Sequence, residues 1–197
     1  MPIRVESPQG EAALTDFLLF HDRVYESRSA RWPAFVPLRD VPESQRVPAF
    51  TALWDECFAE HWGVVPSTED EFALLLELQG PTGVLDTSVI AYRDGKPIGV
   101  LWVAPESTMM AVLEPGRTLR NEEKVNFLGI GVHHDARGQG VNLAMAANAY
   151  LQIARHGVPY LSYTLVLDDN WPSRRTAEKL GAYVCASYVT YRRNLRR

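Results

Sequence analysis

The apolar positions change their period once along the chain, near residue 87. Before that point they recur at helical spacing. Leu14, Phe17, Leu18, Val24 and Tyr25 predict a helix over Gly10–Glu26, and Phe50, Leu53, Trp54, Cys57, Phe58 and His61 predict another over Val47–Trp62, stopped by Gly63. Ser67-Thr68-Glu69-Asp70-Glu71 opens a third, with a capping hydroxyl and acidic residues in its first turn ahead of Phe72, Leu75, Leu76 and Leu78. Gly80-Pro81 ends it. Met1–Ser7 alternates like a short strand. Arg31–Pro48, with Pro33, Pro37, Pro42 and Pro48, reads as a loop or cap.

Past residue 87 the pattern turns β-like. Ser88–Arg93 and Pro97–Ala104 form a predicted hairpin around Asp94-Gly95. Glu106–Asn121 contains Pro115-Gly116 and reads as a surface connection. Lys124–Val132 is a strand whose Gly129 and Gly131 predict a bulge or a close approach by another backbone or a ligand. Leu143–His156 is helical, Tyr160–Leu167 a strand, Asn170–Gly181 a short helix and Tyr183–Arg192 a last strand. This order makes an α+β protein, with a mostly antiparallel sheet between helices. The strand–helix–strand crossover inside it should be parallel.

Composition narrows the functional classes. The 197 residues suit one domain, and 46% hydrophobic with 22% charged residues is ordinary for a globular chain with a core. A net charge of −4 argues against nucleic-acid binding by bulk charge; the basic end Arg192–Arg197 is short and reads as a solvated tail. No apolar run of membrane-spanning length and no leader pattern is present, and Cys57 and Cys185 cannot define a disulfide scaffold, so a cytoplasmic protein is expected. The five His show no recognised metal-ligand spacing, so no metal is expected. No G-x-S-x-G elbow occurs either, and Cys57 sits on an apolar helical stripe as a core residue would.

The chemistry concentrates where the strand Lys124–Val132 turns into a helix through Val132-His133-His134-Asp135-Ala136-Arg137-Gly138-Gln139-Gly140-Val141-Asn142. A helix start leaves backbone N–H groups without partners, and the macrodipole adds roughly half a positive charge there. Gly138 and Gly140 let a ligand approach that backbone, which is what a phosphate cradle needs. It is neither a Walker A loop nor a dinucleotide fingerprint, since no Lys follows the glycines and His134 stands where a third Gly would. Arg137-Gly138-Gln139-Gly140-Val141-Asn142 resembles the R/Q-x-x-G-x-G/A loop of the GNAT superfamily of acyl-CoA-dependent N-acetyltransferases, with Asn142 departing from the usual Gly or Ala. Asn170 to Ala182 resembles the family's next segment through Asn170, Ser173, Lys179 and Gly181. There Ala177 replaces the common Tyr and Ala182 the common Phe.

The resemblance covers Thr87–Leu195 and implies a GNAT fold, in which a central parallel pair of strands splays and helices cover both sheet faces. It divides a single domain into an acetyl-CoA-binding core, 87–197, and an acceptor-side helical region, 1–86. It implies that Ile130, Gly131 and Val132 bond the pantetheine arm, that amides of Arg137, Gly138, Gln139, Gly140, Val141 and Asn142 hold the pyrophosphate, and that Asn170 and Ser173 belong to the same site. The implied reaction is direct attack of a primary amine, on a small molecule or a protein, upon the acetyl-CoA thioester. A bulge amide near Ile130 or Gly131 would be the oxyanion donor. With Ala177 at the usual Tyr position the acid and base are open. His133, Tyr188 and Asp168 are the candidates, with His134, Tyr163, Tyr191 and Asp169 behind them. The alternative is a silent GNAT-like domain that binds acyl-CoA as a sensor or structural partner. A monomer and a homodimer are both compatible with the sequence.

Overall fold

The computed structural model describes residues 33–61, 64–79, 84–105, 124–163, 166–187 and 189. The predicted strand Met1–Ser7, helix Gly10–Glu26 and connection Glu106–Asn121 lie outside these, as do Tyr188 and Tyr191. The elements are β1 (Ala34–Pro37), a 3-10 turn (Leu38–Asp40), α1 (Glu43–Phe58), α2 (Glu69–Gln79), α3 (Val84–Thr87), β2 (Val89–Arg93), β3 (Lys96–Pro105), β4 (Lys124–Val132), a second 3-10 turn (His134–Ala136), α4 (Val141–Arg155), β5 (Tyr160–Tyr163) and α5 (Trp171–Lys179).

Five strands form one sheet in the order β1-β2-β3-β4-β5, antiparallel except for β4 and β5. The fold is thus the expected α+β arrangement, although the parallel pair stands at the edge of the described sheet rather than at its centre. Asp94 and Gly95 take the positive φ values (51° and 76°) that a two-residue hairpin turn demands. β3 is buried on both faces and sorts its side chains by parity. Val100, Trp102 and Ala104 join Phe50, Leu53 and Phe72 from α1 and α2. Leu101 and Val103 join Val141, Met145, Ala146, Ala149 and Ile153 of α4. Helices therefore cover both faces. Phe50 is the hinge of the first core, edge-on to Phe72 at 5.0 Å and to Trp102 at 5.1 Å.

Two expectations need correction. Arg31–Pro48 is not an irregular loop from residue 33 onward: it holds β1, the first 3-10 turn and the start of α1. Its prolines punctuate these pieces, Pro37 closing β1 and Pro42 standing before the first turn of α1. The Arg46 guanidinium then donates to the carbonyls of Leu38 and Val41, and so ties the turn to the helix. The predicted last strand, Tyr183–Arg192, is not paired over residues 182–187, where Tyr183 and Val184 stand exposed. By contrast α2 begins as its sequence demanded. The Thr68 hydroxyl accepts from the Glu71 N–H, and the Glu71 carboxylate accepts from the Thr68 N–H at 2.8 Å; this bond and the one from the Thr68 hydroxyl hold the Glu71 carboxyl below its ordinary range.

The packing that positions the site is that of α1 on β4. The β3–β4 register slips between Trp102 and Val103, so that Gly129 and Phe127 face them and Leu128 is the extra residue, half exposed. A slip of one residue exchanges the faces of every later side chain. Beyond the bulge, Gly129 and Gly131 consequently face α1, while Ile130 and Val132 join the α4 core. A Cβ on Gly129 would overlap the Trp54 ring, and one on Gly131 would lie 2.6 Å from Cys57 Cβ and 2.9 Å from Phe58 Cε2. The bulge is present, and the close approach at these glycines is made by helix side chains and not by another backbone or a ligand. Gly129→Ala should destabilise the fold by about 1–3 kcal/mol through overpacking. The loss should shrink when Trp54→Leu is added; thermal melts of the two variants check this.

Candidate functional site

Among the described residues β4 and β5 are paired over four rungs, Lys124–Tyr160 to Phe127–Tyr163. β4 continues through the bulge to Val132, still paired with β3. In an antiparallel ladder alternate residues turn their N–H and C=O away from the partner strand. From Ile130 to Val132 such groups face the β5 side, where Val166 and Leu167 form no strand. An extended amide-bearing chain could bond to that edge as a strand would.

At the end of this edge lies the turn. His133 N donates to Ile98 O, and Ala136 N and Arg137 N close the 3-10 turn onto His133 and His134 carbonyls. Gly138 (φ 73°) and Gly140 (φ 81°) are both left-handed, and Gly140 caps α4 with no side-chain bond to its first turn. The first-turn amides of Val141 and Asn142 have no intrahelical acceptor. Space beside Gly138 is open, since a Cβ there would meet nothing within 4 Å. An amide-lined, positively polarised concavity with room before it fits an anion such as a diphosphate.

The side chains of the turn hold its frame. Gln139 donates to Asp135 O at 3.0 Å and accepts from the Arg93 guanidinium on the β2–β3 hairpin. Asn142, the departure from the family's small residue, donates to Thr176 Oγ1 at 2.6 Å and so fastens α4 to α5. Val141 is core. The Arg137 side chain reaches toward α1: Nε donates to Val132 O (3.2 Å), one terminal nitrogen to Cys57 O (3.3 Å), and the other lies 3.6 Å from the exposed Glu60 carboxylate. Cys57 O is among the last carbonyls of α1, where a cation is favoured. The role of this side chain is thus to cap α1 and fix the turn against it.

Asn170 caps α5, accepting from Ser173 N at 3.3 Å. Ser173 in turn bonds the Tyr163 phenol, whose pKa burial pushes above its usual value while that bond pulls it back in part. Tyr163 belongs to the last described β4–β5 rung and packs edge-on to Phe127 at 6.2 Å. The structure therefore gathers Ile130, Gly131 and Val132, the 137–142 turn and the Asn170–Ser173 cap around one seam between β4 and β5. Asp168 is not drawn in. It is exposed, and its carbonyl accepts from Arg174. His133 and His134 lie outside the seam, at the foot of the turn, with rings 4.2 Å apart. Sequence reasoning missed the supports that come from distant elements, namely Arg93, Cys57 O and Glu60.

The sheet order, the bulge and the Gly-rich turn are those of an α+β acetyltransferase fold. The chain belongs to the GNAT acetyltransferase family, whose profile matches residues 47–182. No sequence among curated proteins matches it significantly. Solved structures with the same fold include AAC(6')-Iy in complex with the bisubstrate analogue CoA-S-monomethyl-acetylneamine (16% identity, TM-score 0.59, covering 84% of this chain and 100% of that one). They also include the aminoglycoside 6'-N-acetyltransferase AAC(6')-Ih of Acinetobacter baumannii (16%, 0.55, 83% and 99%). A third is yncA of Salmonella typhimurium with its cofactor acetyl-CoA (13%, 0.60, 79% and 82%). At these identities the likeness is one of fold. No helix among the described residues is long and apolar enough to cross a membrane.

Two measurements test the geometry. Gly140→Asp and Gly140→Asn put similar side chains at the same left-handed residue and differ in charge. Calorimetry should find acetyl-CoA binding weakened at least ten-fold by Asp, about 1.4 kcal/mol, and clearly less by Asn. Equal affinities would remove the anion from this turn. Separately, burial pushes the Cys57 thiol up to about 12, so it should resist alkylation in the native protein near neutral pH while exposed Cys185 reacts. One fast thiol, and a second only in denaturant, is the expected count.

Proposed function

We propose that the chain is an N-acetyltransferase that moves an acetyl group from acetyl-CoA to a primary amine by direct attack. The observation that carries this reading is the edge of β4 from Ile130 to Val132, which has no strand of the described residues beside it on the β5 side and runs straight into the amide-lined turn. The backbone of Ile130 and the N–H of Val132 offer strand-like bonds to the pantetheine arm. The amides of Gly138 to Asn142 take the diphosphate, with Gln139 and Asn142 holding the turn in shape. Acetyl-CoA supplies an activated acyl group as a thioester.

The remaining needs are an oxyanion donor, a neutral amine and a proton for the leaving thiolate. The Ile130 amide, turned away from β3, serves as the oxyanion donor. Tyr163 provides the proton in place of the family Tyr that Ala177 removes. Its phenol stands at the last described β4–β5 rung, is held by Ser173, and is protonated at neutral pH as any phenol is, with burial raising its pKa further. No dedicated base is assigned. The acceptor amine loses its proton to solvent, and the rate should climb with pH toward the amine's own pKa, ~10.4 for an alkylamine such as Lys.

The acceptor is a primary amine on a small molecule or a protein. Because AAC(6')-Iy and AAC(6')-Ih are named for aminoglycosides, these belong in the first panel, beside polyamines and peptide N-termini. Ala177 favours a second reading, an acyl-CoA sensor without turnover. Release of free thiol decides between the two. Amine-dependent release that Tyr163→Phe lowers by about 10²-fold, with the acetyl-CoA KM little changed, supports the enzyme and this acid. Tight binding without release across the panel supports the sensor, and full activity in Tyr163→Phe removes Tyr163 from the chemistry.

A further inference from the structure

At the foot of the phosphate-binding turn, His133, His134 and Asp135 each offer one ligand atom within 4.8 Å of the others. His134 Nε2 is 2.9 Å from Asp135 Oδ1, and His133 Nδ1 is 3.7 Å from Asp135 Oδ2. Two ligands on a tetrahedral zinc ion with bonds of about 2.0–2.2 Å stand roughly 3.4 Å apart, a separation these pairs bracket. His133 Nδ1 accepts from Asp135 N at 3.4 Å, a long bond that an ion on Nδ1 would replace. Its Nε2 lies 3.9 Å from the Glu56 carboxylate of α1. A metal-bound imidazole commonly has this arrangement, with one nitrogen on the ion and the other N–H toward a carboxylate. No sequence template shows it, because the two His are adjacent and the outer carboxylate comes from a helix far back in the chain.

We propose that His133 Nδ1, His134 Nε2 and Asp135 form a three-ligand site for a borderline divalent transition-metal ion such as zinc, oriented by Glu56 and completed by water. The imidazole-rich donor set selects zinc, cobalt, nickel or copper over magnesium and calcium. The His134 and Asp135 side chains are exposed (70% and 77%), so the ion is exchangeable and its access is direct. A metal here stiffens the turn that precedes Arg137 and adds a second tie between that turn and α1. The site does not depend on the acetyltransferase reading, and its tests read the metal and not turnover.

The experiment titrates tag-free, full-length protein with zinc by calorimetry, and with cobalt by visible absorption. One equivalent of zinc bound, magnesium giving no heat, and cobalt developing the intense bands of a four-coordinate complex are expected. His134→Ala should weaken zinc at least ten-fold, and Glu56→Gln should weaken it less while leaving the stoichiometry at one. Circular dichroism verifies that both exposed-site variants are folded. Zinc binding of the same strength in His134→Ala, or no stoichiometric zinc binding in the parent, overturns the proposal. Binding that survives His134→Ala but is lost on changing His61 or His156 overturns it too, by placing the ion elsewhere.

Discussion

Two missing side chains determine how this molecule is put together. Because Gly129 and Gly131 have no Cβ, Trp54, Cys57 and Phe58 can rest directly on the backbone of β4. The Leu128 bulge is the companion of that contact, since without it the glycines would face α4 and two larger residues would face α1. On the opposite edge of the strand, the last described rung of parallel pairing with β5, Phe127–Tyr163, comes just before the bulge, and Ile130–Val132 have no described strand on that side. One local irregularity thus seats the helix on the face where the described β4–β5 ladder ends.

The seam and the turn then behave as parts of one frame. Arg137 carries the frame from the turn to the end of α1 through Cys57 O, and Asn142 carries it from α4 to α5 through Thr176. Arg93 and Gln139 bring in the hairpin. Each link engages a side chain, which leaves the backbone amides of the turn to serve a ligand. An anion-binding turn works best when its amides are already aimed, because the cost of ordering them has been met on folding. The same reasoning explains why a charged residue in a phosphate motif need not touch phosphate: here the Arg137 guanidinium serves a helix end.

Much of this was legible in the sequence because it is local. The strand Lys124–Val132, the hairpin at Asp94-Gly95 and the cap of α2 each follow from signals within a few residues, and the turn carried its own glycines. The chain from 33 to 42 was misread because prolines mark the ends of short elements as readily as they mark loops. Tyr183–Ala186 was misread in the other direction, since β-forming residues make a strand only when an edge receives them. The supports of the site were invisible for a different reason. Arg137 and Cys57 lie far apart in sequence, as do Arg93 and Gln139, and nothing in their local pattern announces the contact. Tyr163 was visible as an aromatic strand residue, but only the fold sets it beside Ser173.

The central claim is that the donor enters as an added strand beside β4 beyond the bulge. Amide resonances followed during titration with coenzyme A test it most directly. The account predicts shifts and slowed hydrogen exchange at Leu128–Val132 and Gly138–Asn142, with Lys124–Phe127 unchanged because β5 already occupies that edge. Protection confined to Lys124–Phe127, or saturating binding that leaves Leu128–Val132 untouched, would contradict it.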